Sequence, residues 1–329
     1  MNELLDISGL TVDFGGGASP VLDGVSVQVR KGEVLALVGE SGSGKSMTAL
    51  STMRLLPRGA AMRADAMTFA GEDLLHATER QMNEIRGGRI SMLFQQPKRM
   101  LDPTATVGAQ VAEPLRRFLG LNRRAANARV IELLQDVGIA EPERRAASYA
   151  HQLSGGIAQR VMIAVALAAQ PELLIADEPT TALDVTVEVQ ILRLLAAKRA
   201  ERGMAVLFIS HDLGVVSSIA DRVAVMYAGR IIEEGPTAEI LSAPSHPYTQ
   251  ALIRCSLLEP DEGGALVVIP GDVSSAREVR RGCRFQPRCA VSKAEHIEAQ
   301  CQAYEPGLDS CSADHTSRCW VSISTRRSA

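Results

Sequence analysis

The sequence lacks an excess of charge of either sign, because 35 Lys and Arg residues nearly balance 38 Asp and Glu residues. No overall basic field exists to attract DNA or RNA nonspecifically, so nucleic acid is not an expected partner. Long apolar runs are also missing, since the longest, VMIAVALAA, covers about half a membrane span. The opening MNELLDISGL has no basic segment followed by an apolar run, which argues against a secretory signal. We expect a globular, cytosolic protein with a sizeable core.

Internal repeats and low-complexity segments are absent from the sequence, and its patterning indicates one large domain with an extension. Alternating apolar and polar residues in LLDISGLTVDF and VLDGVSVQVR predict an antiparallel β layer. A helical, charged stretch follows and predicts a helical subdomain at about residues 103–160. The runs LLIAD and AVLFIS then alternate with helical patterns, which favours a mostly parallel sheet. Beyond Gly235 the pattern loosens, and we predict domains at 1–243 and 244–329.

The stretch GESGSGKS follows a predicted strand and opens a predicted helix, which is the context that a phosphate-binding loop requires. Gly39, Gly42 and Gly44 permit the backbone to curl round phosphate oxygens. Lys45 places a cation on the β and γ phosphates, and the Ser46 hydroxyl can bind Mg²⁺. The sequence therefore predicts a site for a nucleoside triphosphate.

Polar residues follow three further apolar runs. Asp177 ends LLIAD and Glu178 follows it; Asp177 would hold Mg²⁺ and Glu178 would orient or deprotonate the attacking water. His211 follows AVLFIS and is predicted at the same sheet edge, where a contact to the γ phosphate is favoured over a purely structural role. Gln95 in LFQQP precedes the helical region, and its alternatives are a plain surface residue or a sensor of the γ phosphate or Mg²⁺.

A second glycine-rich segment, LSGGIAQR, spans residues 153–160. A glycine-rich turn that opens a helix is again an anion site, because free backbone N–H groups and the helix dipole both favour phosphate. One nucleotide does not need two such sites from one chain. The sequence thus indicates that the second site serves another molecule.

Taken in order, GESGSGKS, Gln95, LSGGIAQR, LLIADEP, TALD and His211 resemble the ATP-binding subunit of an ABC transporter, over roughly Leu4 to Gly235. The resemblance implies an α/β fold: an ABC-type P-loop ATPase core with a mostly parallel sheet, an N-terminal antiparallel β layer, a helical subdomain and a small Cys-containing C-terminal extension. It also implies ATP and Mg²⁺ as cofactors and ATP hydrolysis as the activity.

Residue roles follow from the same resemblance. The implied catalytic residues are Lys45, Glu178 and His211, and the implied Mg²⁺ ligands are Ser46, Gln95 and Asp177. In a head-to-tail dimer, Ser154, Gly155 and Gly156 would bind the ATP held by the partner, and Asp184 would lie at the dimer seam. Phe14 would stack on adenine, although an aromatic residue in that position is more often part of a core. The nucleotide-contacting loop comprises Gly39, Glu40, Ser41, Gly42, Ser43, Gly44, Lys45, Ser46 and Met47.

The tail carries HPYT, then ALI, and then GCRFQPRC, and is similar to the C-terminal extension of the oligopeptide, dipeptide and nickel importer subfamily. Cys283, Cys289, Cys301 and Cys319 match its four-cysteine pattern, at which some relatives hold a [4Fe-4S] cluster. Spacings of five, eleven and seventeen intervening residues do not choose between an iron–sulfur cluster, structural zinc and free thiols. Cys311 is a spare thiol in this pattern, and Cys255 is expected to be a small buried hydrophobe.

The implied partners are two integral membrane permease subunits, a second ATP-binding subunit that is homologous or identical, and an extracytoplasmic solute-binding protein. The implied location is peripheral, at the cytoplasmic face of the inner membrane. The implied function is uptake of peptides or a similar small solute, with dipeptide, oligopeptide, nickel, glutathione and opine all open as cargo.

The alternative is a soluble ABC ATPase that acts on nucleic acid. Chromosome-type relatives carry a long heptad coiled coil and translation-type relatives carry two cassettes, and neither pattern is present. A third reading is the ATPase half of an exporter, which the importer-like tail disfavours.

Overall fold

The computed structural model describes residues 3–15, 19–180, 184–260, 264–279 and 281–321. These residues form two compact units. The first takes in the described parts of 1–4, 30–32 and 76–208, and the second takes in the described parts of 5–29, 33–75 and 209–329. Over the described ranges, every helix is too short or too polar to span a bilayer.

The first unit combines helices with parallel strands. Its elements are α2 (Glu79–Ile85), β7 (Ile90–Leu93), α3 (Pro97–Met100), α4 (Val107–Phe118), α5 (Arg123–Asp136), α6 (Pro142–Ala146), α7 (Gly155–Ala168), β8 (Leu173–Asp177), α8 (Val185–Arg202) and the start of β9 (Ala205–Ser210). Strands β7 and β8 pair in parallel, with Ile90 opposite Leu173. All nine residues of β7 and β8 are buried, as expected of strands covered on both faces.

The helical part of this unit follows from caps and apolar spacing. Thr106 caps α4 by accepting a hydrogen bond from the backbone N–H of Ala109, and Asn122 caps α5 in the same way through Ala125. Val107, Val111 and Leu115 recur at the four-residue spacing of one helix face and are all buried. Helix α4 packs against α5 and α7.

The second unit begins with an antiparallel layer. Its strands are β1 (Glu3–Asp13), β2 (Leu22–Arg30), β4 (Ala61–Arg63), β5 (Ala66–Phe69) and β6 (Glu72–Asp73). The order is β2-β1-β5-β6, and β4 also pairs with β1. In β2 buried and more exposed residues alternate, with Val25, Val27 and Val29 inward, as in a sheet with one face on the core.

A second sheet in this unit has the order β12-β13-β11-β10-β3. Its elements and the neighbouring helices are β3 (Val34–Val38), α1 (Lys45–Thr52), α9 (Leu213–Ile219), β10 (Arg222–Tyr227), β11 (Arg230–Pro236), α10 (Thr237–Ser242), β12 (Asp309–Ser310) and β13 (Thr316–Ser317). Strands β3 and β10 are parallel, with Val223 opposite Ala36, and the other pairs are antiparallel.

The C-terminal extension belongs to this second unit. It contains α11 (Pro247–Ser256), α12 (Val273–Ala276), a short 3-10 helix (Gln286–Arg288), α13 (Ala290–Ala294) and α14 (Glu298–Ala303). Its core includes the ring of Phe285, which meets Tyr227 edge-on at 5.3 Å and Tyr248 at 5.4 Å between ring centroids.

The predicted fold class is confirmed. The strand, loop and helix order around GESGSGKS, the N-terminal antiparallel layer and the helical region all occur where the sequence places them. The domain limits of 1–243 and 244–329 stay a prediction.

Candidate nucleotide site

The loop between β3 and α1 has the backbone that its glycines predict. Gly39, Gly42 and Gly44 all have positive φ, at 149°, 79° and 116°. A Cβ on Gly39 would lie 2.2 Å from the carbonyl oxygen of Met226, so no other residue fits there without a shift of the backbone. The carbonyl of Ser43 accepts a hydrogen bond from the N–H of Gly229, which anchors the loop to the turn after β10.

The Lys45 side chain lies inside this loop. It is almost fully buried, and its Nζ donates to the carbonyl oxygens of Gly39 at 2.8 Å and Glu40 at 2.9 Å. The ammonium group therefore stands within the curl of backbone that the sequence assigns to phosphate. Ser46 and Met47 follow on the first turn of α1, where Ser46 is exposed.

The structure brings Gln95 and Glu178 together. Gln95 follows β7, Glu178 follows β8, and the Nε2 of Gln95 donates to Oε2 of Glu178 at 2.7 Å. The two strands are parallel neighbours, so their carboxyl ends place both side chains at one edge. Asp177, the last residue of β8, is buried at 6% exposure. Glu178 has a φ of 47°, a left-handed conformation that is strained for a residue with a Cβ.

The LSGG segment forms the start of α7. Ser154 is the N-cap residue, and its hydroxyl accepts a hydrogen bond from the N–H of Ile157. Ser154 and Gly155 are exposed, and a Cβ on Gly156 would meet Val187 at 3.7 Å. Asp184 caps α8 by accepting from the N–H of Val187 at 2.9 Å, while the rest of TALD lies outside the described residues. The backbone at the start of α7 thus faces solvent and is accessible to an anion.

Gln159 in α7 is a residue that the sequence did not single out. It is 2% exposed, and its Nε2 donates to the carbonyl oxygen of Pro179 at 2.6 Å. Pro179 directly follows Glu178, so the LSGG helix and the strained acidic residue are joined by one buried hydrogen bond. The signal in the sequence is a single amide near the start of a helix whose later residues, from Val161 to Ala168, are all apolar.

Two further predicted residues are exposed. His211 follows β9 and precedes Asp212, the N-cap of α9. Phe14 follows β1 with 45% of its surface exposed, so it is not a core residue.

The extension contributes direct contacts to the phosphate loop. Arg288 pairs with Glu40, and the backbone N–H of Glu40 donates to the Tyr248 hydroxyl at 2.9 Å. Arg277 also donates to the carbonyl oxygen of Gly42. Sequence reasoning missed all three extension residues, because contact partners 208 to 248 positions apart leave no local pattern.

The four cysteines of the predicted motif line one small cavity of about 20 Å³, together with His246 and Phe285. All six cysteines of the chain are described, and none forms a disulfide. The other two lie apart from the cavity: Cys255 is half-buried with its thiol 3.2 Å from the carbonyl of Val267, and Cys311 follows β12. The motif therefore converges in space although its members are up to 36 residues apart in sequence.

The chemistry of the four thiols fits a bound metal, whereas the size of the cavity between them does not. Four thiols suit an iron–sulfur cluster or zinc. The cavity, however, holds about one water molecule, and within the described ranges no group of three or more His, Cys, Asp or Glu side chains is spaced for a metal ion. Burial, with added repulsion from the neighbouring thiols, raises the pKa of Cys283 to about 12 and that of Cys301 to about 11. Binding of a metal would therefore require both deprotonation and outward movement of the thiols.

Comparison with known proteins gives matches over nearly the whole chain. The family described as "ABC transporter" matches residues 22–181, and the family "Oligopeptide/dipeptide transporter, C-terminal region" matches residues 232–295. A protein of Sinorhizobium fredii, named as a probable peptide ABC transporter ATP-binding protein, is 47% identical over 97% of this chain and 95% of its own length. The chain belongs to the family of ABC transporter ATP-binding proteins. A second ABC relative, from Escherichia coli, is named as a probable D,D-dipeptide transport ATP-binding protein and is 45% identical over 96% of this chain and 95% of its own.

Solved structures agree with the ABC cassette fold. A dimeric ATP-binding cassette bound to ADP and phosphate in a post-hydrolysis state matches at a TM-score of 0.63 and 28% identity, over 71% of this chain and 98% of that chain. CbiO1 of Clostridium perfringens, part of an ABC transporter complex, matches at a TM-score of 0.63 and 27% identity, over 74% of this chain and 92% of that chain. The chain is an ABC-type ATPase, the ATP-hydrolysing subunit of an ABC importer.

Proposed function

We propose that this ATPase powers uptake of peptides or closely related small solutes through a separate permease. The observation that carries this assignment is the combination in one chain of the ABC cassette with the oligopeptide/dipeptide C-terminal region. The names of the relatives from Sinorhizobium fredii and Escherichia coli support the same cargo class.

Within one chain we assign ATP to the loop of residues 39–47. Backbone N–H groups at the start of α1 and the Lys45 ammonium bind the phosphates, and Phe14 stacks on the adenine ring. Ser46, Asp177 and Gln95 hold Mg²⁺. The buried Lys45 supports this role, because its bonds to the carbonyls of Gly39 and Glu40 keep the charge inside the loop.

Hydrolysis is assigned to Glu178 as the base that orients and deprotonates water, with His211 on the γ phosphate. The hydrogen bond from Gln95 to Glu178 supports a sensing role for Gln95. When Gln95 leaves Glu178 to bind Mg²⁺, both the base and the start of the helical region change their contacts. Gln95 is well placed for this, since α3 begins two residues later.

We propose that two cassettes close head to tail. The exposed Ser154 and Gly155 of one subunit, with the half-buried Gly156, then cover the ATP held by its partner, and Asp184 lies at the seam. ATP favours closure because donors from both chains contact it, and loss of the γ phosphate lets the dimer open. The dimeric form of the similar cassette supports this arrangement.

The working assembly that we propose contains two permease subunits, a second ATP-binding subunit and an extracytoplasmic solute-binding protein. It holds this chain at the cytoplasmic face of the inner membrane. Nucleic acid is not a partner, in keeping with the formal net charge of −3.

We further propose that Cys283, Cys289, Cys301 and Cys319 hold a [4Fe-4S] cluster after the cavity expands. Convergence of the four thiols on one cavity supports this assignment. When bound, the cluster supplies a rigid cross-link between the segments that carry the four cysteines.

Purification of the chain from membranes in mild detergent tests the transport role. We expect permease subunits and a second ATPase to accompany the chain, and peptides to stimulate ATP hydrolysis when the solute-binding protein is added. The variant Lys45→Ala should assemble but neither bind ATP nor transport. Recovery of the chain with DNA that high salt removes, and without permeases, would overturn the assignment.

A further inference from the structure

The phosphate loop contains a carboxylate, Glu40, whose negative charge repels the phosphates that the loop is proposed to bind. A nucleoside triphosphate brings several negative charges to the loop, and a like charge nearby weakens its binding. Glu40 follows Gly39 directly and lies five residues before Lys45. Its charge has to be balanced if the loop is to bind phosphate tightly.

Arg288 of the extension supplies that balance. The Nη1 of Arg288 donates to Oε1 of Glu40 at 3.2 Å, and Nη2 donates to Oε2 at 3.1 Å, which is a two-bond, fork-to-fork pair. The Arg288 side chain is 6% exposed and that of Glu40 is 27% exposed, so solvent screens the pair only partly.

Arg288 is itself held in a fixed position. Its remaining donor contacts go to the Tyr227 hydroxyl at 3.2 Å and to the backbone carbonyls of Ile269, Pro270 and Gly271. A guanidinium with this many acceptors does not reorient freely when nucleotide binds. The guanidinium of Arg288 therefore stays paired with Glu40 and does not become an additional phosphate ligand.

The backbone of Glu40 is fixed as well. Its N–H donates to the Tyr248 hydroxyl of α11 at 2.9 Å, and its carbonyl accepts from Lys45 Nζ at 2.9 Å. The extension thus holds Glu40 by side chain and by main chain, and the same residue contacts the lysine that we assign to phosphate.

We propose that Arg288 is a positioning residue of the nucleotide site: it neutralises Glu40, directs the carboxylate away from the phosphates and thereby sets the affinity of the loop for ATP. This role rests on the assignment of residues 39–47 to ATP in the proposed function. It makes the C-terminal extension a part of the nucleotide site.

Equilibrium titration of the full-length protein with a fluorescent ATP analogue tests this role. Arg288→Gln leaves Glu40 uncompensated, so we expect ATP affinity to fall about tenfold. Glu40→Gln removes the negative charge and leaves the cation, so affinity should rise about threefold. The double variant should regain most of the affinity that Arg288→Gln loses. Arg288→Lys keeps the charge without the fork and should bind more tightly than Arg288→Gln.

If the pair of Arg288 with Glu40 only links the extension to the loop, and its charge balance does not matter, the variants should show a different pattern of ATP affinities. Loss of either partner would then weaken binding equally, and the double variant would be as weak as Arg288→Gln. That result, or unchanged affinity of Arg288→Gln, would overturn the proposal. If Arg288→Gln does not fold, the ATP affinity of Glu40→Gln alone tests the proposal. Weaker ATP binding by this near-isosteric variant would contradict a role of charge balance.

Two control variants distinguish the role of Arg288 from a general effect of changing the extension and from failure of the ATP assignment itself. Arg254→Gln breaks the half-exposed pair with Glu259 in the same extension, leaves the pair of Arg288 with Glu40 in place, and should leave ATP affinity unchanged. Lys45→Ala tests the loop itself. If the parent protein does not bind ATP, or Lys45→Ala binds it as tightly, the proposed function fails; if Lys45→Ala loses binding and Arg288→Gln does not, only the role of Arg288 fails.

Discussion

The side-chain amide of Gln159 donates a hydrogen bond to the backbone carbonyl of Pro179, 2.6 Å away. Gln159 lies three residues after Gly156 in α7, and Pro179 comes directly after Glu178. In the proposed head-to-tail dimer the two ends of this bond would serve different nucleotides, because the LSGG segment would cover the partner's ATP and Glu178 would act on the ATP of its own subunit. One buried bond would then connect the two ATP sites through each subunit.

The variant Gln159→Leu removes this connection at similar side-chain volume. Glu178 then loses support for its left-handed backbone, and we expect kcat to fall about tenfold with little change in ATP affinity, while a buried carbonyl left unpaired costs about 1–3 kcal/mol of stability. ATPase kinetics and urea unfolding measure the two effects. Gln135→Ala, at an exposed position on α5, is the control. An equal loss of kcat and affinity would contradict a positioning role.

The variant Glu178→Gln tests the catalytic assignment. An amide cannot accept the proton of the attacking water, so we expect ATP turnover to fall about 100-fold or more while nucleotide still binds. Because the variant keeps the γ phosphate whose loss would open the dimer, the closed dimer should accumulate with ATP and appear in size-exclusion chromatography or small-angle scattering. Normal turnover by this variant would show that another residue is the base.

Arg222 offers a test of fold stability away from the candidate site. Its guanidinium, at the start of β10, bonds to the buried Glu33 at 2.8 Å and also to Glu234. Arg222→Gln removes a largely buried cation that contacts both carboxylates, and we expect a loss of about 3–5 kcal/mol of unfolding free energy. Urea denaturation measures the loss.

The matched control is Arg80→Gln, which breaks an exposed pair with Glu84 in α2. Exposed pairs contribute about 0–1 kcal/mol, so this variant should change stability little. Similar losses in the two variants would show that burial does not distinguish the two ion pairs.

The [4Fe-4S] cluster proposed for the four cysteines is tested by the metal content of the protein. Purified without oxygen, the chain should contain about four iron and four sulfide per molecule and absorb visible light. Cys301→Ser should lose this iron, whereas Cys255→Ser, outside the cavity, should keep it. A colourless protein that is metal-free or loaded with zinc would rule out the cluster.

The sequence predicted those parts of the site whose chemistry is local. The phosphate loop follows from residues 39–46 alone, because its glycines, lysine and serine act through neighbouring backbone. Gln95 and Glu178 were each predicted from the strand that precedes them, and parallel pairing of β7 and β8 brings the two together. Their direct hydrogen bond was not predicted, since strand order within a sheet is a tertiary property.

Residues whose partners are distant in the sequence were not predicted, and the reason is physical. Arg288 lies in GCRFQPRC, where the cysteines draw attention, and its partner is 248 residues away. Gln159 was part of a recognised motif, yet only its burial against Pro179 distinguishes it from a surface amide. Burial and long-range pairing depend on the whole fold, and no periodicity or spacing encodes them.

If Arg288 sets the ATP affinity as proposed, its ion pair with Glu40 limits which C-terminal segments can replace the native one. A chimera that joins this cassette to a tail with an uncharged residue at position 288 would carry an unbalanced carboxylate beside its own triphosphate. Such a hybrid would still fold around its β strands but would need more ATP to reach half-maximal turnover. The two halves of the gene are therefore expected to change in concert at these two codons.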